Sequence, residues 1–327
     1  MFVPADAWSF AISLLNGGHL RKAARCVNVF NEPPRRQPIE ARRKKIGLAS
    51  ADRMHQNRNM YLLRLIVLTL LTLSADTREI FAQTPAARPV LLYSRYFNAP
   101  GESRYLADGT FKDIMDKARL EFDVRVHDQP LNSKTLAGVS VVLIANPSDK
   151  AVGTNPPPHH FNAQDIAALR KFVDDGGGLI VMSNQENHNL DTDDTNKLLG
   201  QFGLSFVNRY TDAKKLVLPK NTPIVGGLSW AYYTGNQVAI EAGHPAKPRS
   251  LINNDLTQKP PKGPRDEPGA LLAIAEPGKG RVIAITDSGW LTNDAVSEKG
   301  IGEVAIKGQD NWEIFRRLVR WAGHSQK

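Results

Sequence analysis

Four ionisable or hydroxyl side chains offer the most direct route to chemistry in this sequence. Ser183 and His188 lie in one short segment and could act as nucleophile and general base, because a hydroxyl needs a base within hydrogen-bonding reach. Glu186 and Asp287 could instead form the two-carboxylate acid/base pair that glycoside hydrolysis requires. A turn this short rarely orients a nucleophile and a base, and no third orienting group is evident. The sequence therefore leaves the catalytic residues unknown, with these four as candidates.

Residues that could hold a metal are present but scattered. His159 and His160 follow three prolines without a third ligand at helical spacing, which is typical of a solvated loop tip. Asp191, Asp193 and Asp194 lack the glycine and the closing glutamate of a calcium loop, and they would favour the N-terminus of a following helix through its dipole. We therefore expect no metal site and no cofactor.

The elements that must position these residues alternate along the chain. From Pro89 onward, short apolar runs alternate with helical patterns, which indicates a mainly parallel α/β sheet with helices on both faces. The predicted strands cover 90–93, 122–127, 139–145, 179–182 and 204–207, with a hairpin at 270–275 and 281–287. The predicted helices cover 110–119, a segment capped by Asn162 and stopped by Gly176, 192–202 and 312–321. Residues 208–268 predict irregular structure with small antiparallel strands.

Polar residues follow several of these strands. Ligands of open parallel sheets bind beyond the carboxyl ends of the strands, so we expect a binding site there. The candidate ligand-binding residues are Tyr96, Asn98, Asn146, Asp149, Asn184, Glu186, Asn187, Asp287 and Trp290. Amides and carboxylates can bind vicinal hydroxyls, and an aromatic ring such as that of Trp290 can cover the face of a sugar. The alternative is that these residues serve only turns and helix caps.

The positive charge of the chain is concentrated in its first quarter. The formal net charge is +9. Residues 1–82 hold 13 Lys and Arg against 6 Asp and Glu, whereas residues 83–327 hold 29 against 27. Because the remaining chain is nearly neutral, we do not expect a nucleic-acid partner.

An apolar run at residues 65–75 follows three spaced arginines, Arg53, Arg58 and Arg64. A helix needs about 20 apolar residues to span a bilayer, so this run is too short. A basic flank, a short apolar run and small residues after it predict a signal peptide at residues 54–82, with a buried core helix as the alternative. The mature chain would then be periplasmic or secreted, with no membrane span after removal of the signal.

The same interpretation bears on where translation starts. Met54 or Met60, instead of Met1, would be the natural start of translation. Residues 1–53 would then be a disordered upstream extension that results from a start codon assigned too early. Cys26, the single cysteine, lies in that extension. The mature part, a single domain at residues 83–327, therefore has no thiol, which excludes disulfides, cysteine zinc sites and cysteine nucleophiles.

Three turns carry a family resemblance: Tyr96-Phe97-Asn98, the segment 146–149 and the segment 184–189. Together with DDGGGLIVMSN and GKGRVIAITDSGWLTND, they make residues 89–323 resemble the class I glutamine amidotransferase-like domain. The chain looks most similar to the accessory domain of that kind attached to some bacterial unsaturated rhamnogalacturonyl hydrolases. The resemblance implies a flavodoxin-like sheet and a role connected with plant polysaccharide use.

The departures from that family concern its chemistry. Glutaminases of this family have a cysteine after the glycine turn and a histidine after a late strand. This chain has Met182-Ser183-Asn184 and Asp287-Ser288 at those points. The resemblance therefore implies no glutaminase activity, and an enzyme of another kind stays open.

Three hypotheses follow. The first is an exported, non-catalytic domain that binds a carbohydrate or a polysaccharide-processing enzyme at the strand ends. The second is a hydrolase of an oligosaccharide or an amide that uses Glu186, His188 and Asp287. The third is a protein–protein assembly module.

Overall fold

The computed structural model of the chain describes residues 87–184, 188–212, 215–232, 234–254, 269–297 and 307–325. These residues form a mixed α/β fold with a mostly parallel central sheet and helices. The predicted extension at residues 1–53 and the predicted signal peptide at residues 54–82 lie outside the described residues.

Five strands form the parallel part of the sheet: β1 (Val90–Ser94), β2 (Asp123–His127), β3 (Val141–Ala145), β4 (Gly178–Met182) and β11 (Arg281–Ile285). Across the sheet they lie in the order β2-β1-β3-β4-β11. All five residues of β1, β3 and β4 are buried, which is typical of parallel strands covered on both faces. The predicted strands at these positions are confirmed to within two residues at each end.

The sheet continues beyond β11 as antiparallel strands. β10 (Ala270–Ala275) pairs with β11 as the predicted hairpin and also contacts β8 (Thr234–Ile240) and β9 (Arg249–Asn253). β5 (Leu204–Asp212) pairs with β8 and forms the far edge of the sheet. Two short strands, β6 (Leu216–Val217) and β7 (Ser229–Trp230), form a separate ribbon. The prediction of small antiparallel strands after residue 208 is confirmed.

Alternate strand residues point into two separate apolar cores, so helices cover both faces of the sheet. On one face, Leu91 and Leu143 pack with α1 (Lys112–Ala118) and α5 (Asn311–Ala322). On the other face, Leu92 and Val142 pack with α2 (Ala163–Asp174) and α3 (Asp193–Gly200). A 3₁₀ turn, Gly289–Leu291, and α4 (Asn293–Val296) follow β11.

The N-terminus of α2 is determined by its local sequence. The Asn162 side chain accepts hydrogen bonds from the backbone of Gln164 and Asp165, and the Asp165 carboxylate accepts one from the Asn162 backbone. This reciprocal arrangement is a capping box, which satisfies backbone N–H groups that have no partner within the helix. The prediction of Asn162 as the cap is confirmed.

The outer edge of the parallel part is β2, whose side chains are mostly exposed or half-buried. Arg125 pairs with Asp123 at 2.7 Å on the same strand. The connection from β2 to β3, residues 128–140, consists of turns instead of a helix. No helix in the described part of the chain has the length and apolar character needed to cross a bilayer.

Candidate functional site

The carboxyl ends of β1, β3, β4 and β11 lie side by side and place four polar residues at one edge of the sheet. Asn98 follows β1, Asn146 follows β3, Ser183 follows β4 and Asp287 follows β11. All four side chains are buried. They lie close together because neighbouring parallel strands end at the same edge of a sheet. We call these four residues, together with Tyr105 and Asn184, the strand-end rim.

Backbone hydrogen bonds tie neighbouring strand ends together. The Asn146 N–H donates to the Met182 carbonyl at 2.7 Å, and the Ser183 N–H donates to the Ile285 carbonyl at 2.8 Å. The Asn98 side-chain amide donates to the carbonyls of Ala145 and Asn146. The rim residues are therefore fixed relative to one another by the sheet itself.

Several buried polar atoms at these strand ends have no hydrogen-bond partner within the part of the chain that the structure describes. They are Asn98 Oδ1, Asn146 Oδ1, Ser183 Oγ and His188 Nδ1. Buried polar atoms are nearly always paired, since an unpaired one costs about 1–3 kcal/mol. A group of them on adjacent strand ends therefore indicates a place where water or a ligand completes the bonding.

Tyr105 reaches the rim from the loop after β1, and sequence reasoning missed it. Its hydroxyl accepts a hydrogen bond from Asn184 Nδ2 at 2.9 Å, and its carbonyl accepts one from the Tyr93 hydroxyl at 2.6 Å. Burial raises the pKa of Tyr105 and raises that of Tyr93 to about 12, so both stay protonated. No periodic pattern marks Tyr105, because tertiary packing alone brings it to the strand ends.

Two further residues of that loop carry charge beside the rim. Glu102 is buried and binds Arg104 through two parallel contacts, Nε at 2.9 Å and Nη2 at 2.6 Å. This bidentate pairing lowers the pKa of Glu102 against the opposing effect of burial. The pKa of His188 is lowered first by burial and then by the charge of Arg104, so its imidazole is neutral at neutral pH.

Ser183 and His188 do not form a nucleophile–base pair in this structure. Ser183 Oγ and His188 Nδ1 each have no hydrogen-bond partner among the described residues, and Ser183 is fully buried. Asp287 accepts a hydrogen bond at 2.6 Å from the Gly289 N–H, which turns the chain into the 3₁₀ segment. Glu186 and Asn187 lie outside the described residues.

Three predicted ligand-binding residues lie apart from the rim. The ring of Trp290 packs against Trp230 and Phe315 in the apolar core instead of at the rim, so it does not cover a sugar as expected. Asp149 is exposed and faces Lys150 at 3.2 Å. Tyr96 stacks on His159, with ring centroids 4.3 Å apart.

Backbone strain accompanies the rim. Tyr105 has φ 62°, Asn146 has φ 45° and Asn189 has φ 59°, all in the left-handed region that glycine favours. Such residues cost about 1–3 kcal/mol each and tend to cluster at functional sites. The Asn146 side-chain amide donates to the His188 carbonyl at 3.0 Å, which links the strained turn after β3 to the loop after β4.

Two other features lie outside the rim. A groove of about 1200 Å³ runs along α2 beside the β2–β3 connection and is lined in part by Leu131, Leu136 and Phe172. It shares Tyr96 with the predicted site but none of the rim residues. His160, Asp191 and Asp194 come together and could hold a metal ion, although the sequence suggested no third ligand for His160.

Solved structures with a similar fold share little sequence with this chain. The "mmIFT52 N-terminal domain" matches with a TM-score of 0.53 and 15% identity over 71% of this chain and 96% of its own. A cytoplasmic protein of Salmonella typhimurium LT2 matches with a TM-score of 0.45 and 12% identity, over 72% of this chain and 99% of its own. A ThuA-like protein from Bacteroides uniformis has a TM-score of 0.41 and 11% identity, over 72% and 92%. At these identities the first match shows a shared fold and nothing more. No curated protein sequence matches the chain.

A family model described as "Domain of unknown function (DUF4350)" matches residues 120–306. The resemblance to the class I glutamine amidotransferase-like domain of rhamnogalacturonyl hydrolases is therefore wrong. The turns that suggested it, such as Tyr96-Phe97-Asn98, follow strand ends, where turn-forming polar residues are common in α/β sheets. Since the match covers more than half of the 327 residues of this chain, the chain belongs to the DUF4350 family.

Proposed function

We propose that the strand-end rim binds a carbohydrate or a similar polyhydroxylated ligand without turning it over. The observation that carries this proposal is the set of unpaired buried atoms at adjacent strand ends, Asn98 Oδ1, Asn146 Oδ1 and Ser183 Oγ. The two amide oxygens accept hydrogen bonds and the Ser183 hydroxyl can both donate and accept, so the three atoms can bind vicinal hydroxyls of a ligand. Water would serve the same atoms while no ligand is bound.

The strand order supports this location. The strand order β2-β1-β3-β4-β11 is consistent with a flavodoxin-like arrangement. In such an arrangement, the order in which strands are added to the sheet reverses direction between β1 and β3. Ligands of such sheets bind at this reversal, outside the carboxyl ends. Asn98 and Asn146 follow these two strands, and Asn98 Nδ2 donates to the Asn146 carbonyl at 2.9 Å.

A paired substitution tests the site. Ser183→Ala removes a buried hydroxyl that has no partner among the described residues, so the ligand-free protein should lose little stability. The same change should weaken ligand binding. Thr195→Val is the matched control, because Thr195 is fully buried with an unpaired hydroxyl but lies in α3, away from the rim.

The measurement is a thermal-shift screen of the full chain against plant cell-wall oligosaccharides, with amides as a control panel. Ligand binding to the native state raises the unfolding midpoint by mass action. We expect a shift with one class of sugar that disappears in Ser183→Ala and persists in Thr195→Val. A panel without any shift, or a shift equal in both variants, would overturn the proposal and favour a protein partner.

A hydrolase of an oligosaccharide or an amide is the second candidate. The neutral imidazole of His188 favours it, because a general base must be unprotonated at working pH. Product release from a sugar identified in the screen, lost in His188→Ala with binding retained, would establish turnover. Binding without product would leave the first proposal in place.

We also propose that the chain is exported to the periplasm or beyond, on the strength of the basic and apolar pattern in residues 54–82. Mass spectrometry of the N-terminus after expression in a bacterial host tests this. A mature N-terminus near Gln83 supports export, and an intact N-terminus in the cytoplasmic fraction contradicts it.

A further inference from the structure

One histidine and two aspartates from separate segments meet beside α3. His160 precedes α2, while Asp191 and Asp194 lie at the start of α3. The His160 Nδ1 atom lies 3.3 Å from Asp191 Oδ2 and 3.3 Å from Asp194 Oδ2. One ligand atom from each of the three residues lies within 4.8 Å of the other two.

We propose that His160, Asp191 and Asp194 form a binding site for a divalent transition-metal ion, with Zn²⁺ the best match to the ligands. A tetrahedral ion at about 2.1 Å from each ligand holds those ligand atoms about 3.4 Å apart, close to the two separations observed. The imidazole nitrogen argues against Ca²⁺ and Mg²⁺, which take oxygen ligands. Three protein ligands leave a fourth position for water or a substrate.

The burial of Asp191 supports a cation at this position independently of the distances. Its side chain is only 4% exposed, and its Oδ1 accepts a hydrogen bond from the Asp194 N–H at 3.1 Å. Oδ2 is thereby directed at His160. A carboxylate in such surroundings needs a compensating positive charge, which a divalent ion supplies.

The backbone around the three residues is held in place before any ion binds. The Asp191 N–H donates to the Pro147 carbonyl at 2.8 Å, and Leu190 forms a β-bridge with Ser148. Next to His160, the Phe161 ring stacks on Phe97 with centroids 3.8 Å apart. Ligands on a fixed backbone lose little conformational entropy on binding, which favours a metal site over a transient ion pair.

Two further charged residues lie near the cluster on α3, and one of them contacts it. Lys197 forms an ion pair with Asp194 Oδ1 and so competes with a metal for that carboxylate. Asp193, in the same turn, adds negative charge nearby. Removal of the competing ammonium in Lys197→Met should therefore tighten metal binding, whereas Asp193→Asn should change it little.

The test is a calorimetric titration of the full chain with ZnCl₂, in a Cys26→Ser background that removes the one thiol as a competing ligand. MnCl₂ and CaCl₂ are titrated in parallel. We expect one Zn²⁺ per chain, at least tenfold weaker binding in His160→Ala and in Asp191→Asn, binding within twofold in Asp193→Asn, and weak binding of Ca²⁺.

Circular dichroism separates loss of the site from loss of the fold. His160 is 38% exposed, so His160→Ala should fold even if Asp191→Asn does not. An absence of Zn²⁺ binding at micromolar concentrations would overturn the proposal. Unchanged affinity in a folded His160→Ala, or an equal loss in Asp193→Asn, would also overturn it by showing diffuse or unrelated binding.

Discussion

The side-chain amide of Asn184 donates a hydrogen bond of 2.9 Å to the hydroxyl of Tyr105, across 79 residues of sequence. Both side chains are buried, and the contact joins the loop after β1 to the turn after β4. Because Tyr105 also adopts a left-handed backbone, this bond helps to hold a strained loop against the strand ends.

Tyr105→Phe should lower the free energy of unfolding by about 1–2 kcal/mol, because it removes a buried acceptor while keeping the ring. Urea unfolding followed by tryptophan fluorescence measures the change. Tyr96→Phe serves as the control: Tyr96 is half-buried and its ring stacking on His159 survives the substitution. Equal stability of Tyr105→Phe and the parent protein would show that the contact does not hold the loop.

Asn311→Ala should lower the free energy of unfolding by more than Tyr105→Phe does. The Asn311 side chain is fully buried at the start of α5, where it accepts from the Ala231 N–H and donates to the carbonyls of Ala231 and Trp290. Loss of these bonds in the interior should cost about 3 kcal/mol. The same urea measurement applies, and the exposed Asn253→Ala should change stability by less than about 0.5 kcal/mol. A small effect at Asn311 would mean that water replaces its bonds.

Glu313→Gln should lower stability at neutral pH and not at strongly acidic pH. Hydrogen bonds from Arg316 and then Arg317 hold the pKa of Glu313 at about 2, below its ordinary value of 4.5. A carboxylate with a lowered folded-state pKa stabilises the fold above its unfolded pKa, and this contribution disappears as the pH falls through about 2. We expect a loss of about 1 kcal/mol at pH 7, since the three side chains are partly exposed.

Unfolding curves of the parent and of Glu313→Gln, recorded from pH 7 to pH 2, provide the check. The two proteins should converge at the acidic end, and 1 M salt should shrink the difference at pH 7. A constant difference at every pH would assign the effect to helix packing instead of charge.

Two glycines should respond to alanine in opposite directions. A Cβ at Gly200, in the last turn of α3, meets nothing within 4 Å, so Gly200→Ala should raise stability by about 0.5–1 kcal/mol. A Cβ at Gly280 would lie 1.9 Å from the Val173 carbonyl oxygen, so Gly280→Ala should lower stability by about 3 kcal/mol. Thermal denaturation of both variants measures the changes, and a stabilising Gly280→Ala would contradict the close approach of α2 and the β10–β11 turn.

The parts of the fold that depend on local sequence were predictable. Asn162 and Asp165 lie three residues apart, so their capping box can be recognised before any tertiary contact is known. The buried run 141–145 likewise indicates a strand covered on both faces. The pairing of β10 with β8 and β9 depends on contacts between distant segments, and no local pattern specifies which strands meet.

The candidate site was predictable only where a strand end determines position. Asn98, Asn146 and Asp287 each lie within four residues of the end of a strand, so their position at one edge follows from parallel pairing. Trp290 also follows a strand, but the 3₁₀ turn after Asp287 folds it back onto Trp230. The meeting of His160 with Asp191 depends on how two loops pack, which spacing along the chain does not reveal.

The charged outer edge of β2 has a consequence for behaviour at high concentration. An edge strand presents unpaired backbone groups on which a strand of another molecule can add. Asp123 and Arg125 are exposed on this strand, and a second copy aligned against it would have to desolvate both. This cost opposes edge-to-edge association, so β2 protects the parallel part of the sheet from acting as a template for aggregation.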